Sequence, residues 1–328
     1  MSALTAARRS RSELPRWAII ASGLVMLVLL LAPAVFVLLN REPAVVSDGR
    51  RLPAGNLPTD VAVDGSTVWV VSGRDDRVVA FDARATDADP DVHAVGSSPL
   101  RLAVGGGSVW TANAGNGSVT RFDPLVPGSG RRVQIGADAV DIAIGPEGAW
   151  VTNGLAGTVT RVDPISNRVL GEPVRTGNFP AALAVGDRYV WVVNAGDGTV
   201  ARIDPREDVV IGRRMAVGRD PQDIAVGHGS VWIANRGDGT VTRLSAADGR
   251  RQGDPIGVGG APGALAVTRG GVLVLDTRRG DLSAIDPRTG RVSHVSRVGG
   301  FPTSLAVGAG SAWVVDARSG TVTRLRNP

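Results

Sequence analysis

The sequence predicts an all-β protein: a seven-bladed β-propeller of four-stranded blades, preceded by one N-terminal transmembrane helix. Three observations carry this. A tryptophan recurs at Trp69, Trp110, Trp150, Trp191, Trp232 and Trp313, with Leu273 at the sixth place, in steps of 41, 40, 41, 41, 41 and 40 residues. Self-similarity at such a period is the mark of a repeat architecture. Each repeat divides into four short β-rich runs separated by Gly-, Pro- and Asp-containing turns. Ahead of the repeats lies a 22-residue run without a charge, residues 18–39.

Residues 1–16 form a short basic tail with Arg8, Arg9, Arg11 and Arg16 against Glu13. Residues 17–39 are long enough to span a bilayer, for which about 20 apolar residues suffice. Trp17 stands at the interfacial position, and membrane helices tolerate a proline such as Pro33. The arginine-rich tail favours the cytoplasmic side, which puts the repeats outside. The rival is a signal peptide cleaved near Ala32-Pro33-Ala34. The run exceeds the about 7–15 residues of a signal core, which favours an uncleaved anchor. Residues 40–50 are read as a linker and 51–328 as the propeller.

Within a repeat, a first run such as Asp223–Val226 follows a proline in six of seven copies. The second run, as in Ser230–Ala234, is almost continuously apolar, which suits a strand covered on both faces. A tight hairpin with Asn116-Gly117, Asp197-Gly198 or Asp238-Gly239 follows, read as a two-residue turn. The third run closes on Asp-Pro in several copies, and a looser fourth run completes the unit. The last copy stops after its third run, so the segment VVSDGRRLPAG before the first copy, residues 45–55, is expected to donate the missing strand. That closure removes open sheet edges.

The run WVTNGLAGTVTRVDP from Trp150, and the wider order of Pro, LAVG, GSVWVVN and GDGTV, resemble the YVTN-repeat and virginiamycin B lyase-like propellers over residues 50–328. This resemblance implies the seven-bladed fold. It implies several functions: streptogramin-opening lyases, receptor-kinase sensor domains and exported proteins without an assigned role. The lyases would use a histidine-centred, magnesium-assisted site that abstracts a proton and opens an ester-linked ring.

Composition narrows the field. There are no cysteines, which excludes disulfides and thiolate chemistry. The net charge of +5 is concentrated in the tail; without residues 1–16 there remain 32 arginines against 30 acidic residues. That balance lacks the footprint of a nucleic-acid binder. The hairpins supply one carboxylate each, too few for a calcium loop, so no metal is expected. No glycine-rich phosphate loop leads into a helix, so no nucleotide or other cofactor is expected. His93 and His294 fall in outer strands and His228 in a first-to-second-strand turn, so no histidine-centred general base can be assembled. The tryptophans, mid-strand among small residues, are expected to pack blade against blade.

The candidate site lies where the repeats differ. The second residue after the repeat proline reads Asp60, Arg101, Asp141, Ala182, Asp223, Ala264 and Ser304, and is expected at the mouth of the central channel. Hairpins on the same face add Arg74, Arg236, Arg278, Arg279 and Arg318. The third residue after each tryptophan position reads Ser72, Asn113, Asn153, Asn194, Asn235, Asp276 and Asp316. This mixed-charge ring could grip a small polar ligand or a partner loop; the alternative is a set of solvated turn residues. The expected function is a membrane-anchored, extracytoplasmic, non-catalytic scaffold or sensor for a partner protein or cell-envelope ligand. The alternative is a streptogramin B lyase-like enzyme opening a cyclic depsipeptide.

Overall fold

A computed structural model describes residues 46–85, 89–136 and 138–326, with side chains from residue 51. The expected tail, the expected membrane helix and residues 40–45 of the expected linker lie outside the described residues. Among the described residues no helix is long and apolar enough to cross a membrane.

Among the described residues the repeats form seven antiparallel sheets, six of them running in chain order from an inner first strand to the outer edge. Blade 2 is representative, with strands Pro99–Gly105, Ser108–Asn113, Ser118–Phe122 and Arg131–Gln134. Blade 7 takes its first three strands from Pro302–Gly308, Ser311–Asp316 and Thr321–Arg326. Its outer strand is Val46–Pro53, paired antiparallel to Thr321–Arg326 from Val46↔Arg326 to Pro53↔Thr321. The ring is therefore closed from the N-terminal side. The donated strand begins at Val46, inside the span that the sequence reading assigns to the linker.

The core is divided among the seams between blades. Among the described residues there are seven apolar clusters, each built from two neighbouring blades. Trp110, Ala112 and Val119 of blade 2, for example, meet Ile142, Ala149 and Val151 of blade 3. Alternate residues of a second strand face opposite seams. Both seams are dry, and the run reads as continuously apolar for that reason.

Trp110, Trp150, Trp232 and Trp313 have no exposed surface, and Trp69 and Trp191 have 5% and 1%. They are packing residues. Five of the six stand opposite an arginine of the third strand, as in Trp232↔Arg243. The guanidinium carbons lie 4.9–5.9 Å from the ring centroids. Such contacts are worth about 0.5–2 kcal/mol when partly desolvated. Where Leu273 replaces tryptophan, its cross-strand partner is Ala284. In blade 1, Trp69 faces Ala80 and instead packs near His93 and Phe122.

The hairpins differ from the expected two-residue turn. Four residues join Asn153 to Thr158, and the Gly157 N–H donates to the Asn153 carbonyl at 3.0 Å. The turn keeps three residues near the helical region and needs a left-handed residue only at its last position. Gly117, Gly157, Gly198, Gly239, Gly280 and Gly320 supply it with φ of 58–73°, and Asp76 does so in blade 1 at 52°. The Asn-Gly and Asp-Gly pairs therefore mark the end of a longer loop rather than its whole length.

Candidate functional site

Every first strand carries a bulge at its start. The register slips between Pro58 and Asp60, Pro99 and Arg101, and at the matching place in the other five blades. A bulge re-aims the side chain that follows it. The residue it turns is the second after the repeat proline, and seven such residues surround the axis.

Asp60, Arg101, Asp141, Asp223 and Ser304 are brought together there. Asp60 Oδ2 accepts the Leu102 N–H at 2.9 Å, Asp141 Oδ2 that of Leu183 at 2.8 Å, and Asp223 Oδ2 that of Leu265 at 2.6 Å. Each bond reaches from one blade to the next. Asp60 Oδ1 also accepts from Ser304 Oγ at 2.5 Å and Arg101 Nη1 at 3.3 Å. Acidic residues occupy blades 1, 3 and 5, so each one latches an even-numbered blade behind it. Ser304 ties blade 7 to blade 1, across the seam that closes the ring.

Burial pushes the Asp141 carboxyl up to about 7 and the Asp223 carboxyl up to about 6, each opposed by the charge of Arg101. Burial works against the charged form of Arg101 as well, but Asp60, Asp141 and Asp223 outweigh it and hold the guanidinium more firmly protonated than usual. Arg101 and Asp60 keep 24% and 10% of their side-chain surface open. The groups are thus enclosed by protein yet touch the axial channel, so their desolvation is partial.

The asparagines point elsewhere. Asn113, Asn153, Asn194 and Asn235 are at most 2% exposed. Asn235 Nδ2 donates to Thr240 Oγ1 at 3.1 Å and Thr242 Oγ1 at 2.8 Å. Asn153 makes the same pair of bonds with Thr158 and Thr160, and Asn113 with Ser118 and Thr120. Asn194 donates to Thr199 Oγ1 and to the Thr176 carbonyl. Asp276 and Asp316 cap their hairpins through backbone N–H groups of Arg278, Arg279, Arg318 and Ser319. Ser72 is buried and bonded to Asp75. These residues support the hairpins from inside the blades. Arg74, Arg236, Arg278, Arg279 and Arg318 are exposed on the hairpin face. Of these, Arg236 pairs with Asp220 at 2.7 Å and Arg318 lies 3.8 Å over the Phe301 ring.

The histidines remain apart. His93 stacks on Phe122 at 4.5 Å, and burial lowers its pKa against the pull of Asp91. His228 lies in the turn between Pro221–Gly227 and Ser230–Asn235, with Nε2 2.8 Å from the Thr268 carbonyl. His294 is on the outer strand Val292–Arg297. Among the described residues no group of three or more His, Cys, Asp or Glu side chains is arranged to hold a metal ion.

The hairpin face also holds a groove of about 960 Å³ between blades 3 and 4. Leu155 and Gly157 from the blade 3 hairpin, Arg175 at the end of its outer strand, Thr176 from the connection to blade 4, and Asp197, Arg213 and Arg214 from blade 4 line it. The groove exists because the outer strand of blade 4 is broken. Val209–Val210 and Met215–Ala216 pair with the third strand, the Ile211 N–H donates to the Arg202 carbonyl at 2.7 Å, and residues 212–214 run between without such bonds. Blade 3 has one continuous outer strand, Arg168–Arg175, in that place. Sequence reasoning missed this groove; the irregular REDVVIGRRMAV run was its only signal.

Comparison with known structures agrees with the architecture. Virginiamycin B lyase from Staphylococcus aureus superposes with a TM-score of 0.74 at 13% identity, covering 84% of this chain and 98% of that one. A hydrazine synthase chain from Kuenenia stuttgartiensis gives 0.70 at 17% identity, covering 84% and 96%. The Cps50 (Swd1) β-propeller domain of Myceliophteria thermophila gives 0.71 at 11% identity, covering 86% and 99%. No family model and no curated protein matches the sequence. At these identities the likeness is one of fold, and the fold hosts enzymes and non-enzymes alike.

Proposed function

We propose that this chain is a non-catalytic binding propeller, anchored through residues 17–39 and held outside the membrane, that engages a partner protein or cell-envelope ligand through its hairpin face. The observation that carries the reading is the groove of about 960 Å³ on that face. Large apolar side chains stand exposed around it and elsewhere on the same face: Leu155 at 78%, Phe301 at 47%, Leu57 at 43% and Phe179 at 40%. Loops on a rigid scaffold are where binding residues collect. The channel ring supports the site indirectly, since its carboxylates are spent on holding neighbouring blades in place.

Capture from detergent-solubilised membranes, followed by mass spectrometry, tests this. A Leu57→Ser, Phe179→Ser, Phe301→Ser variant should lose the co-purifying partner. Leu125→Ser with Ile165→Ser, both 89% exposed on the opposite face, should retain it. Equal capture by both variants would overturn the reading. Protease treatment of intact cells should degrade the propeller; protection would overturn the proposed location. The competing lyase reading draws on the fold likeness. It requires magnesium-dependent ring opening of a type B streptogramin that is lost in His228→Ala.

A further inference from the structure

We propose that the groove between blades 3 and 4 is a binding site for an extended acidic peptide that carries apolar residues between its carboxylates. This rests on the reading of the hairpin face as a binding surface and names the class of partner.

Charge is the first argument. Three arginines, Arg175, Arg213 and Arg214, line the groove against a single carboxylate, Asp197. Asp197 is already committed: its Oδ2 accepts from Arg214 Nη1 at 3.0 Å and from the Asn178 N–H at 3.1 Å, and its Oδ1 from Thr199 Oγ1 at 2.5 Å. Arg175 and Arg213 are exposed, and their side chains carry no hydrogen bond or ion pair among the described residues. Two guanidinium forks are thus left for carboxylates, which they bind in a bidentate manner.

Shape and rim select the ligand. The volume of about 960 Å³ stands at the upper end of the about 300–1,000 Å³ of small-molecule sites, enough for a short run of residues. Leu155 is 78% exposed at the groove, and Phe179 lies beside it against Gly154. A sulfated glycan or a nucleic acid would leave both apolar side chains in water. A peptide alternating acidic and apolar residues uses the arginines and the rim together.

The test uses the full chain in detergent and two fluorescein-labelled octapeptides, one alternating Glu and Leu, the other Gln and Leu. Fluorescence anisotropy should show the Glu peptide binding at least tenfold more tightly, with affinity falling as salt rises. An Arg175→Ala, Arg213→Ala variant should lose at least tenfold for the Glu peptide at an unchanged melting temperature. Leu155→Ser should weaken both peptides. Equal binding of the two peptides, or full binding by the arginine variant, overturns the proposal. So does a sulfated oligosaccharide that binds when neither peptide does. Partner capture that needs Leu57, Phe179 and Phe301 but tolerates the arginine variant sinks this inference alone and leaves the binding-face reading standing.

Discussion

Asp141→Asn isolates the charge at the centre of the channel. The amide keeps an oxygen for the Leu183 N–H, which Asp141 Oδ2 holds at 2.8 Å, and it keeps the side-chain shape. Only the titratable proton is removed. Burial raises the Asp141 carboxyl from 3.8 to about 7, with Arg101 pulling the other way. In the unfolded chain the group returns to about 3.9. Below about pH 4 both states hold the proton, and this group adds no pH dependence. Between about 4 and 7 the unfolded state releases its proton first, so stability falls as pH rises; above 7 the loss is complete. A rise from 3.8 to about 7 corresponds to about 4 kcal/mol. The residue keeps part of its surface exposed, and screening reduces the working figure to about 2 kcal/mol. The variant should therefore match wild type near pH 4.5 and exceed it at pH 8. For a domain of this size about 2 kcal/mol moves the melting temperature by about 4–8 °C. Thermal unfolding of both proteins by circular dichroism at the two pH values measures the difference. Carboxylates held low, such as Asp75 with its Asn56 and Ser72 hydrogen bonds, lose stability on acidification but do so equally in both proteins. A variant less stable by the same amount at both pH values would refute the argument.

Three further perturbations test the frame. Trp232→Ala removes a fully buried ring and the 4.9 Å contact of Arg243, and should cost about 3–5 kcal/mol in urea unfolding; a change below about 1 kcal/mol would contradict the packing role. Gly157→Ala places a Cβ 2.5 Å from the Gly177 carbonyl oxygen at a φ of 70°, and should lower the unfolding free energy measured in urea by more than about 1 kcal/mol, whereas Gly106→Ala at a φ of 58° in open space should cost less. Deleting residues 46–53 exposes the edge of Thr321–Arg326, and should lower the melting temperature and give oligomers by size-exclusion chromatography with light scattering; a monomer of unchanged melting temperature would deny the closure any role.

The architecture was legible because it is written in periodic residues. A buried tryptophan, a proline ahead of the inner strand and a glycine ending the hairpin, each present in six of the seven repeats, report on contacts that recur from blade to blade. Donation of the outer strand of blade 7 was legible from the same count, since one copy lacked a strand and one segment had no copy. Trp69 and Leu273 lack the opposing arginine that the other tryptophans have, so the pairing belongs to the blade and not to a ligand.

The candidate site was legible only in part, for a reason of side-chain direction. Sequence spacing places Asp141 and Asn153 near one face but does not say where either side chain turns. The bulge after the repeat proline turns Asp141 into the channel, while the four-residue hairpin leaves Asn153 inside the blade against Thr158 and Thr160. Polar residues that repeat in register are those the scaffold uses for itself. The groove follows the opposite logic. It arises where residues 212–214 interrupt one outer strand. Arg131 and Arg132 of blade 2 match Arg213 and Arg214 in repeat position, and Arg297 of blade 6 matches Arg175; particular to the groove is that Arg175 and the Arg213–Arg214 pair meet across one seam. A scaffold of near-identical blades can distinguish one ligand from another only where its equivalence fails. The broken outer strand of blade 4 is such a place, and it is there that free arginines and an exposed apolar rim coincide.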